Sequence, residues 1–71
     1  MEPLLTTEEI AVALGVEPRT AKSWRSRAWR LTHEPEQRFP TEVRRGQYRP
    51  REVAAWCRAV GREYPKEWDK A

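Results

Sequence analysis

Seventy-one residues make one domain at most, and a core of that size rarely supplies more than about 3–5 kcal/mol of net stability. The composition is polar, 38% hydrophobic and 35% charged, yet it includes four tryptophans. One cysteine, Cys57, and one histidine, His33, exclude a disulfide framework and leave too few soft ligands for a structural zinc site, so neither metal nor cofactor is expected.

No run of about 18 apolar residues is present, and the N-terminal stretch lacks a basic region followed by an apolar one. The chain therefore reads as soluble and cytoplasmic, with no membrane partner. The net charge of +3 is segregated. Residues 1–17 carry Glu2, Glu8, Glu9 and Glu17 and no base. Residues 18–51 carry ten Lys or Arg against Glu34, Glu36 and Glu42. Residues 52–71 hold four of each sign. A basic middle between acidic and neutral ends suits one electropositive surface facing a polyanion.

In chain order, Thr6-x-x-Glu9 has the form of a capping box, with Leu5 and Ile10 placed as a hydrophobic staple. Ile10, Ala13 and Leu14 continue at helical spacing, and Gly15 stops the helix. A second helix is predicted from Pro18 to about Ala28, with Ala21, Trp24 and Ala28 on one inward face. The stretch 28–38 is a long link, in which Trp29 is expected as a core plug and His33 as a solvated loop residue. Thr41 to Arg49 is expected to form a hairpin turning at Arg45-Gly46, with Phe39, Val43 and Tyr48 in the core and Tyr48 packed on Trp56. A third helix is predicted from Pro50 or Arg51 to Gly61, burying Val53, Trp56, Cys57 and Val60. Cys57 reads there as a small buried apolar group. Residues 1–62 form the expected domain and 63–71 a tail. On a helix, Tyr64 and Trp68 of that tail would share one face, either folded back on the core or turned toward a partner.

The first two helices and the turn at Gly15 make a helix-turn-helix candidate between Thr7 and Ser26. Ala11 stands where the helices must cross closely, Gly15 four residues later at the turn, and Ile10, Leu14, Val16, Ala21 and Trp24 where the pair locks. The second helix of this motif enters the major groove of double-stranded DNA. Its outward face here offers Arg19, Lys22, Ser23 and Ser26, flanked by Thr20 and Arg27. Arg19 and Lys22 have donors that reach guanine, and Thr20 and Ser23 can bond bases or phosphates. Arg27 and Arg30 are phosphate contacts or a solvated helix end. Arg25 lies nearer the inward side and is left out of the reading set. Arg44, Arg45, Gln47 and Arg49 cluster on the hairpin, a basic ribbon able to reach backbone or an adjacent minor groove. No nucleophile–base pair, paired carboxylate site or glycine-rich phosphate loop is visible, so catalysis is not expected.

The segment Leu-Leu-Thr-Thr-Glu-Glu-Ile-Ala-Val-Ala-Leu-Gly-Val-Glu-Pro-Arg-Thr-Ala-Lys-Ser-Trp, followed by Gln-Tyr-Arg-Pro-Arg-Glu-Val-Ala-Ala-Trp, resembles the MerR-like winged-helix group. Within it, the chain is most similar to small phage excisionases, or recombination directionality factors, over roughly residues 4–60. Its motifs are shared with small bacterial regulators and phage terminase small subunits. The resemblance implies a mostly α fold with a small β-hairpin wing, that is, a winged helix-turn-helix. It implies Arg19, Thr20, Lys22 and Ser23 as groove readers and Arg44 to Gln47 as the wing tip. It also implies a protein that binds repeated sites beside neighbouring copies of itself, bends DNA and directs a separate phage integrase toward excision. A small transcriptional regulator is the alternative role. Two features depart from the pattern: the long 28–38 link, and Glu17 where a Ser or Asp cap would be expected.

Overall fold

The computed structural model describes residues 3–32 and 34–70, so the expectation for His33 lies outside the described residues. A two-residue strand, β1 (Leu5–Thr6), leads directly into helix α1 (Thr7–Leu14). The capping box closes as expected. Thr6 Oγ1 accepts the Glu9 backbone N–H at 3.1 Å, and Glu9 Oε1 accepts that of Thr6 at 2.9 Å. Gly15 then adopts the left-handed conformation, φ +70°, and Val16 N–H donates back to the Ala11 carbonyl at 2.9 Å. That tight reversal sets α2 (Pro18–Ser23) against α1, with Ile10, Ala11 and Ala21 fully buried. Pro18 opens α2, and Glu17 makes no side-chain capping bond.

The second helix is shorter than its apolar pattern predicts. After Ser23 the chain tightens into bonds between residues three apart, Arg25 N–H to Lys22 and Ser26 N–H to Ser23. Ser26 Oγ accepts the Trp29 N–H at 3.2 Å and so caps a new helix, α3 (Arg27–Thr32). Two serines three residues apart offer the backbone an alternative to a continuous ladder. Ala28 consequently leaves the inward face and is exposed. The expected long link thus contains α3 and a single 3₁₀ turn, Pro35–Gln37.

The small sheet also differs from the expected hairpin. The turn at Arg45-Gly46 forms, with Gly46 at φ +73° and Gln47 N–H donating to the Arg44 carbonyl at 2.8 Å. Its first arm contributes only an isolated bridge, Arg44 to Gln47. The strand β2 (Gln47–Tyr48) instead pairs antiparallel with β1, Leu5 opposite Tyr48 and Thr6 opposite Gln47. The fold is therefore mostly helical with one two-stranded antiparallel sheet.

Aromatic rings fill the core. Trp24 lies 4.7 Å from Trp56, and Phe39 meets Trp56 at 5.0 Å and Tyr48 at 4.9 Å, both edge-on. Tyr48 thus reaches Trp56 by way of Phe39. Trp29 is half-buried against this cluster, as a plug. The Trp29 and Trp56 indole N–H groups both donate to the Gln37 carbonyl, at 3.0 and 2.9 Å, which pins the 3₁₀ turn to the core. Val43, expected in the core, is instead 40% exposed on the outside of the turn loop. Helix α4 (Pro50–Val60) buries Val53, Ala54, Trp56 and Cys57 and ends at left-handed Gly61.

The chain after Gly61 returns along α4. Trp68, in a 3₁₀ turn (Lys66–Lys70), joins the core at 5% exposure. Tyr64 precedes that turn, so the two aromatics share no helix, but their rings stack at 6.4 Å and 20°. Arg58 Nη1 donates to Tyr64 Oη at 2.8 Å and to Asp69 Oδ1 at 2.6 Å, while the Tyr64 hydroxyl donates to Asp69 Oδ2 at 2.9 Å. The Tyr64 hydroxyl, and then the Arg58 guanidinium, hold the Asp69 carboxyl below its ordinary value. With the folded pKa below the unfolded one, the ionised form favours the docked tail. That contribution is complete above the usual aspartate pKa of about 4 and is lost as pH falls through the lower folded value. The part of the tryptophan fluorescence that Trp68→Phe removes is expected to report undocking in that acid range. Asp69→Asn is expected to undock the tail partly at neutral pH and to remove this transition. An acid profile unchanged by the substitution would show that Asp69 does not hold the tail.

Candidate nucleic-acid interface

The outward side of α2 follows from what its other side buries. With Ala21 and Trp24 in the core, Arg19, Lys22 and Ser23 stand exposed, and Thr20 is half-buried. Arg19 Nε lies 3.8 Å from Glu17 with both side chains largely in water, a contact worth little. Among the described residues no carboxylate pairs with Lys22. The Ser23 hydroxyl donates to the Thr20 carbonyl at 2.6 Å, so its hydrogen is committed and the exposed residue offers its oxygen only as an acceptor.

Ser26 does not belong to this face. Its oxygen caps α3, it is half-buried, and the chain has already left α2. Arg27 is the first residue of α3 rather than an extension of α2, and it is exposed. These two corrections share one cause, the break after Ser23.

Arg44 and Arg45 are exposed on the turn, and Arg49 is exposed at the cap of α4. Gln47 is half-buried in β2. The turn is braced from beneath by Glu42, whose carboxylate accepts the Gly46 N–H at 2.6 Å. Because β2 pairs with β1, the basic turn is tied to the strand that leads into α1 rather than projecting as a free ribbon.

Arg25 connects the helical pair to the turn. Its guanidinium donates to Tyr48 Oη at 3.4 Å and lies 3.9 Å from Glu42. Arg25 and Arg30 line a depression of about 300 Å³ together with Pro40, Thr41, Glu42 and Tyr48. The junction of α2 and α3 therefore abuts the loop that carries Arg44 and Arg45. The helical period of α2 keeps Arg25 off the outward face but does not reveal this bracing role. The available signal was Tyr48, since a buried tyrosine hydroxyl needs a polar partner.

Cys57 is fully buried, and desolvation pushes its thiol up to about 11, so it is protonated at neutral pH. Among the described residues no three His, Cys, Asp or Glu side chains group as a metal site, and no helix is long and apolar enough to cross a membrane. Comparison with protein-family models, curated proteins and solved structures finds no match to the chain.

Proposed function

We propose that the chain is a winged helix-turn-helix DNA-binding module of the excisionase kind. One observation carries the reading. A helix locked to its predecessor by a left-handed glycine turn buries Ala21 and Trp24 and offers Arg19 and Lys22, with no buried partner, to solvent. Such a helix suits the major groove, and its two cations suit guanine edges or phosphates. The basic turn at Arg44 and Arg45 serves as a rudimentary wing on the backbone, with Gln47 and Arg49 behind it. In this reading neighbouring copies occupy repeated sites on double-stranded DNA, bend it, and direct a separate integrase toward excision without cutting.

Salt titration of duplex binding tests the interface. The observed affinity is expected to fall with a log–log slope near −0.9 for each phosphate neutralised. Arg45→Ala is expected to flatten that slope by about one and to weaken all sequences alike. An unchanged slope removes the turn from the interface. Footprinting on the element's own DNA then separates the biological roles. Protection of repeats at an attachment site, with excision by the integrase dependent on the protein, supports the excisionase. Protection of a lone operator, with recombination unaffected, gives a transcriptional regulator.

A further inference from the structure

Two large aliphatic side chains stand almost fully in water, Val12 at 80% and Leu31 at 74% exposure, well beyond any other among the described residues. Each sits at the centre of a small charged helical face, and the two faces have opposite sign. On α1, Glu8 and Glu9 lie four and three residues before Val12, on the side away from buried Thr7, Ile10 and Ala11, and the helix carries no base. On α3, Arg27 lies four residues before Leu31 and Arg30 directly precedes it, opposite half-buried Trp29, and the helix carries no acid. Among the described residues none of these four charges has an ion-pair partner within the chain. Thr6, Glu8, Glu9, Val12 and Ala13 also line a shallow depression of about 370 Å³.

We infer that the α1 face of one copy docks on the α3 face of another, with Leu31 set into the depression beside Val12 and the glutamates facing Arg27 and Arg30. Complementary charge selects a second copy as the occupant: the acidic face has its opposite on the same molecule, and the two do not pair within one chain. The surfaces are different, so the contact is head-to-tail. Each added copy leaves one acidic and one basic face open, and assembly continues rather than closing. Each face is one short helix, well below the roughly 800 Å² per partner of a stable interface, so a single junction is weak and sensitive to salt. The inference supplies the surfaces by which neighbouring copies meet in the proposed function. Its test contains no DNA, so it can fail while the DNA-binding reading stands.

Sedimentation of the intact chain up to about 1 mM, at low salt and at about 0.5 M salt, provides that test. The wild type is expected to form species that grow with concentration and shrink with salt. Val12→Lys blocks one face by setting a like charge against Arg27 and Arg30, and Leu31→Asn removes the apolar side chain from the other; both positions are exposed enough for the fold to persist, which the thermal midpoint checks. Each variant alone is expected to stay monomeric. An equimolar mixture is expected to form a dimer and nothing larger, because only one junction between an intact α1 face and an intact α3 face remains possible. A wild type that stays monomeric throughout, one that stops at a closed dimer, or variants that assemble as well as the wild type would each overturn the inference.

Discussion

Trp56→Ala is expected to abolish the cooperative thermal transition. Trp56 is 3% exposed and touches Trp24 and Phe39, and its indole N–H bonds to the Gln37 carbonyl at 2.9 Å. Removing such a ring costs roughly 3–5 kcal/mol, comparable to the whole stability that a core of this size provides. Trp56→Phe separates packing from hydrogen bonding. It keeps much of the ring and loses the N–H, while Trp29 still satisfies the Gln37 carbonyl at 3.0 Å. A smaller loss, on the order of 1–3 kcal/mol, is expected, with a cooperative transition retained. Calorimetry of the two variants measures both. An alanine variant that melts like the wild type would mean that the aromatic cluster is not what stabilises the fold.

Lys22→Ala and Arg19→Ala are expected to lose about 1–3 kcal/mol each on a specific site, or roughly 5- to 150-fold in affinity. They are also expected to blur base preference at one position apiece. Both are exposed, so the fold is unaffected and the loss reads directly on DNA. Selection from random duplexes with each variant, followed by anisotropy on matched and mismatched sites, gives the magnitude and the position. Equal losses on specific and random DNA would make these residues phosphate contacts and would require a different orientation for α2.

What could be read from the sequence was local. Thr6 and Glu9 bond each other across three residues, and Gly15, Pro18, Pro50 and Gly61 act on their own backbone, so the edges of α1 and α4 and the start of α2 were legible. The break after Ser23 was hidden because Ala21, Trp24 and Ala28 continue one apolar period straight through it. Ser26 decides the matter through a single hydrogen bond to Trp29. The pairing of Leu5–Thr6 with Gln47–Tyr48 was out of reach for another reason, since two-residue strands have no period and their partners lie some forty residues apart. The candidate site divides in the same way. The exposure of Arg19 and Lys22 followed from the inward face of α2, whereas the roles of Arg25 and Ser26 depend on contacts that periodicity does not encode.

The shortness of α2 sets a limit on what one copy can know about a sequence. Six helical residues span about 9 Å, the length of only two or three base pairs at roughly 3.4 Å each. A base pair read without ambiguity carries about 2 bits, so a full reading by α2 supplies on the order of 4–6 bits. Singling out one address among about a million competing sites takes roughly 20. Used as the groove reader of the proposed function, the helix is a syllable rather than a word, and the repeated sites of that proposal are what would let several molecules in a row spell the address.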